Sequence, residues 1–178
     1  MIAMPIIGRR AEWPRPHHRL LVLWLCAALL AAACSGIELV SRYDEATDSA
    51  LTALQQKSDD FIESLEASAG TSDASFTKHE AFYDELDRDL RRLEFRVSSI
   101  PNNAHTTRLV AAVRQVLLGS GECSAEGTSL RDLHCLPANQ ATGPSPTALK
   151  SNRRNINQTI GAALNLELMK KQGLADSE

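Results

Sequence analysis

Between Gly36 and Ile100 the chain contains no proline and one internal glycine, Gly70. A stretch so free of helix breakers, with apolar residues at helical period, is constrained to two long helices parted at that glycine. The first is predicted over 36–68. It opens at Ser35-x-x-Glu38, which has capping-box spacing, and carries Val40, Tyr43, Thr47, Ala50, Leu51, Leu54, Phe61, Ile62 and Leu65 at three- and four-residue steps. At 1.5 Å per residue it would reach ~45 Å, so its amino-terminal end is expected to outlast its neighbours as a stalk. The second is predicted over 77–99, with Thr77-x-x-Glu80 as another capping box. Tyr83, Leu86, Leu90, Leu93 and Val97 repeat 3-4-3-4, the seam of a coiled-coil-like packing face. On the opposite face Asp84 to Arg88 and Asp87 to Arg91 stand at i,i+4, each pair worth about 0.3 kcal/mol, as expected of a solvated surface.

Ile100-Pro101-Asn102-Asn103 ends the second helix, because the residue before proline is pushed out of the α region and asparagines suit a turn. A third helix is predicted over 105–118 from Leu109, Val110, Val113, Val116 and Leu117, stopped by Gly119-Ser120-Gly121. The fourth, 146–172, has Ser145 as N-cap, Pro146 in its first turn, and Lys170-Lys171 before Gly173. Its residues Leu149, Ile156, Ile160, Ala163, Leu164, Leu168 and Met169 are expected to face inward. Its polar first half, with Arg153 and Arg154, is read as an exposed face; pairing with another helix or holding an anion is the other reading. Short turns make sequential helices antiparallel neighbours. The fold class is therefore all-α, an antiparallel up-and-down bundle of about four helices with a long irregular connection over 119–145.

Upstream, Leu20 to Ala33 is a run of 14 uncharged residues preceded by Arg9, Arg10, Arg15 and Arg19. A membrane-crossing helix needs about 20 apolar residues, so the run has the proportions of a signal-peptide core. Leu29-Leu30-Ala31-Ala32-Ala33-Cys34, followed by Ser35-Gly36, resembles the lipobox of bacterial lipoproteins. The resemblance covers residues 1–34 only. It implies that 1–33 are removed, that Cys34 becomes the first residue with a diacylglyceryl group and an N-acyl chain such as palmitate, and that 34–178 is a lipid-anchored domain. It further implies a place in the bacterial cell envelope facing the periplasm; Ser35, where Asp would mark inner-membrane retention, favours the outer membrane if there is one. In such an oxidising compartment Cys26 is lost with the leader, Cys34 carries lipid, and Cys123 and Cys135 are left to pair as a disulfide stapling the long connection. Closing a loop of that size is worth about 3 kcal/mol on the chain-entropy model. The competing reading is a metal or redox site from Cys123, His134 and Cys135, although the segment has no C-x-x-C.

Removing 1–33 takes four arginines and one glutamate, leaving 15 basic and 21 acidic residues, a formal charge of −6. That balance argues against nucleic acid as a partner. The remaining histidines are His79, His105 and His134, and H-E-x-x-H, paired E-x-x-H, G-x-S-x-G, G-x-G-x-x-G and the P-loop are all missing. No catalytic residue, cofactor or metal ligand is therefore assigned. The expected function is that of a non-catalytic, membrane-anchored envelope lipoprotein whose bundle is a structural or protein-interaction module, partnered by another envelope protein or by itself. The alternative is a periplasmic small-molecule binding or sensing bundle.

Overall fold

A computed structural model describes residues 40–124 and 127–173. Among them are five α-helices and no strand: α1 Glu45–Ser68, α2 Phe76–Ser99, α3 Ala104–Leu118, α4 Leu130–Cys135 and α5 Pro146–Lys171, with a 3₁₀ turn at Ser72–Ala74. α1 packs on α2 and α5, and α3 packs on the same two helices, so the four long helices close a ring in the order α1, α2, α3, α5. This is the expected up-and-down arrangement. The short α4 lies against α2 and α3 at the end of the bundle where α3 finishes and α5 begins.

The 3-4-3-4 stripe of α2 is core. Tyr83, Leu86, Leu90, Leu93 and Val97 are all buried, against Leu51, Leu54, Ile62 and Leu65 of α1, Val110, Val113 and Leu117 of α3, and Leu149, Ile156 and Ile160 of α5. No helix among the described residues is long and apolar enough to cross a membrane.

Four local expectations need correction. α1 starts at Glu45 rather than at 36, so Val40 and Tyr43 are not on its stripe. The cause is Asp44, whose carboxylate accepts from Thr47 N (3.0 Å) as N-cap and is gripped by Arg96 Nε and Nη2 (both 2.6 Å). Ser41 N donates to Asn102 O (3.0 Å), so the segment before α1 is tied to the α2–α3 turn instead of continuing the helix. With 24 residues α1 equals α2 in length, so among the described residues no stalk projects. The leader, Cys34 and the Ser35-x-x-Glu38 box lie outside the described residues.

The second correction concerns α2, whose N-cap position is Ser75 rather than Thr77, with no side-chain hydrogen bond at the cap. Phe76 is buried, and its N–H donates to Gln140 O (2.9 Å), so the long connection satisfies one of the first-turn donors of α2. Third, the 119–145 connection is not wholly irregular, since it contains α4 with a complete capping box between Ser129 and Asp132. Finally, Leu168 of α5 is 50% exposed, and the inward positions beside it belong to Glu167 and Lys170.

Candidate functional site

Cys123 and Cys135 stand at disulfide distance and are joined, with Cα atoms 5.8 Å apart. Two carboxylate oxygens of Asp132 organise the loop between them. Oδ1 accepts from Ser124 N (3.1 Å), and Oδ2 from Ser129 N (3.3 Å) and Ser129 Oγ (2.6 Å). Gly119 closes α3 at φ +61°, where a Cβ would collide with the same carboxylate. Only glycine combines that conformation with that approach. A six-residue helix is too short to hold itself, so cap, disulfide and packing together fix α4.

What α4 positions is His134, which is fully buried. Its Nε2 lies 2.9 Å from Ala74 O, and its Nδ1 lies 2.9 Å from the Tyr83 hydroxyl. A carbonyl can only accept, so Nε2 carries a proton; burial disfavours a second proton on the ring, so Nδ1 accepts from the Tyr83 O–H. The imidazole is therefore neutral, bracing α2 and the 3₁₀ turn from α4. Phe76 meets its ring edge-on with centroids 5.4 Å apart, Phe61 packs edge-on against Tyr83 at 5.6 Å, and Phe82 stacks on Phe61 at 3.6 Å. Burial raises the Tyr83 phenol well above its ordinary range, partly countered by Arg131, and so keeps it a donor. Of the other histidines, His79 Nε2 is 3.0 Å from Asp73 O, and His105 Nδ1 is 2.9 Å from Arg108 Nη2. The reading of Cys123, His134 and Cys135 as metal ligands does not fit this geometry, because the sulfurs face each other and both imidazole nitrogens are engaged elsewhere. Among the described residues no group of three or more His, Cys, Asp or Glu is placed to hold a metal.

Burial depresses His134 below the usual histidine pKa near 6.5, His79 adds to the effect, and the bond to Ala74 opposes it. The unfolded chain then binds a proton that the folded chain refuses. The stability this contributes is complete above pH ~6.5 and is lost as the pH falls through the folded-state value, at no more than about 1.4 kcal/mol per pH unit for one proton. Asp44 acts in a lower window. Its hydrogen bonds from Arg96, with help from Thr47, hold it at about 2 against the effect of burial, so its contribution is present above its ordinary 3.8 and fades toward 2. Urea unfolding at about pH 7.5 and about pH 5.5 should therefore show a loss in wild type that His134→Gln lacks. Equal losses in both would refute the assignment.

At the opposite end lies a second closed cluster. Lys170 Nζ reaches Glu167 Oε1 (2.7 Å), Thr106 Oγ1 (2.7 Å) and Asn103 Oδ1 (2.8 Å), while Glu167 Oε2 accepts from Asp44 N (3.2 Å). Ser41 Oγ completes it by donating to Asn103 Oδ1 (2.7 Å). On the outside, Arg153 is not part of an exposed polar face. It bridges α5 to α1, with Nη2 donating to Asp59 O (3.2 Å) and Nε 3.6 Å from Asp59 Oδ1, and Asn157 joins the same carboxylate (3.1 Å). Arg154 remains exposed. The α1–α2 seam opens into a groove of about 330 Å³, lined by Ala50, Ala53, Leu54 and Leu93 together with Lys57, Asp89, Arg92 and Arg96. The small alanines of α1 create it.

Neither buried cluster is legible in the sequence, because their members lie 51 and 67 residues apart and follow no motif. Comparisons with protein-family models, curated proteins and solved structures find no match to this chain.

Proposed function

We propose that the chain is a bacterial envelope lipoprotein held to a membrane by lipid on Cys34, with the bundle acting as a non-catalytic structural or protein-interaction module facing the periplasm. Two or three acyl chains make such an anchor durable where one is marginal. The observation that carries the reading is the use of the deepest ionisable groups. His134, Tyr83, Glu167 and Lys170 are each hydrogen-bonded into the fold and buried, so they hold helices together and the exterior is what the protein presents. Crosslinking of a tagged full-length chain in intact cells, with Cys34→Ser as control, tests this. A specific envelope protein recovered with wild type and lost in the control is the expected result; self-crosslinks alone would name a second copy as the partner.

The α1–α2 groove favours one other reading, a small-molecule binding bundle, because its apolar floor is open to an apolar ligand. A retained small molecule in the native mass spectrum, absent after Ala53→Leu narrows the groove, would move the assignment there.

A further inference from the structure

Phe95 on α2 is 76% exposed. A lone exposed phenylalanine is unremarkable on a protein surface, so its neighbours decide what it means. On a helix those neighbours stand three, four and seven residues away. Here they are Arg88, Arg91 and Arg92 before it and Ser98 and Ser99 after it, all exposed, with no acid among them. Arg91 pairs with Asp87 and Arg92 lies 3.7 Å from Asp89, yet their side chains are 66% and 80% exposed. Such surface pairs are weak and exchange readily for another anion. An apolar ring flanked on its amino-terminal side by three exposed arginines, on a body whose net charge is −6 after residue 33, orients this one face toward negative charge.

The tether points the same way. Ser41 is hydrogen-bonded to Asn102 at the α2–α3 turn, and Cys34 precedes Ser41 by seven residues. Even fully extended, that chain spans no more than about 25 Å. Phe95 is four residues from the end of α2, about 6 Å along the axis, so it belongs to the end of the bundle at which the chain enters through Ser41.

We infer that the outer face of α2, Phe95 with Arg88, Arg91 and Arg92, docks on an anionic phospholipid surface. The ring enters the headgroup and acyl boundary, and the guanidinium groups bind lipid phosphates, as in interfacial helices. The orientation, though not the chemistry of the face, rests on the lipid-anchored reading.

The test uses the full-length chain carrying Trp13→Phe, Trp24→Phe and Phe95→Trp, so that position 95 holds the single indole. The protein is reconstituted in phosphatidylcholine vesicles with or without phosphatidylglycerol, the acyl chains brominated as quenchers, and flotation is read alongside emission. Emission at position 95 should fall about twofold or more in the phosphatidylglycerol vesicles. It should not fall in phosphatidylcholine alone, with Arg88→Glu/Arg92→Glu, or for an indole placed instead by Leu168→Trp on α5. A floating chain whose position 95 is unquenched overturns the inference and leaves this face to a protein partner. Quenching that ignores the charge reversal or the anionic lipid overturns it too, because the tether alone would explain it. A chain that does not float refutes the anchor; emission with added phosphatidylglycerol vesicles then decides the face by itself, quenching supporting the inference and constant emission overturning it.

Discussion

Leu90→Asp unfolds the bundle. Leu90 and its neighbour Leu86 are completely buried in the centre of the α2 stripe. Removing the leucine forfeits about 2–3 kcal/mol of apolar burial. The aspartate either strands a carboxylate in an apolar core, at several kcal/mol, or takes up a proton at comparable cost. A domain of this size is stable by only about 5–15 kcal/mol, so the sum removes most or all of it. Circular dichroism and gel filtration should report a non-helical or aggregated chain, while Ser98→Asp, the same charge on the exposed face, leaves the spectrum unchanged. If Leu90→Asp stays folded and loses only a partner, the stripe is an interface between chains and the core assignment is wrong.

The second large effect comes from Lys170. The side chains of Lys170 and Glu167 are 1% and 0% exposed, with Nζ and Oε1 2.7 Å apart. A buried pair adds little compared with an apolar pair of the same shape, since desolvating both charges offsets their attraction. Breaking it is another matter. Lys170→Met leaves the Glu167 carboxylate with hydrogen bonds from Thr106 and from the Asp44 backbone but without its countercharge, and should cost about 3–5 kcal/mol in urea unfolding. Adding Glu167→Leu should return most of that, because no unpaired charge remains. A single-variant cost below about 1 kcal/mol, or a double variant as poor as the single, would show that the cluster is hydrated and not closed.

The histories of α2 and α5 show how far local pattern reaches. In α2 the apolar stripe, the glycine before it and Pro101 after it all act within a few residues, and the helix ends at Ser99 as they require. In α5 the same logic places both ends, through Ser145-Pro146 and Gly173, but not the last inward turns. The buried positions Leu149, Asn152, Ile156, Ile160, Ala163, Glu167 and Lys170 keep a regular three- and four-residue phase. Continued strictly, that phase points Glu167 and Lys170 inward and Leu168 out; hydrophobicity argued the reverse, because burying a charge is unfavourable unless a partner waits for it. That partner cluster is Thr106 and Asn103, more than sixty residues away in sequence.

Four long helices, most of their ends and their antiparallel order are legible in the residues alone, since breakers, caps and short turns are local and their effects do not wait for the rest of the fold. Where α1 begins, that α4 exists, and that His134 and Lys170 lie inside emerge with the packing of distant segments. Each of those depends on whether a polar group finds a partner on a distant segment: Arg96 for Asp44, Tyr83 and Ala74 for His134, Asn103 and Thr106 for Lys170. A buried hydrogen-bonding group is tolerable only when satisfied, and satisfaction is a property of the packed molecule, not of the residue or its neighbours in the chain.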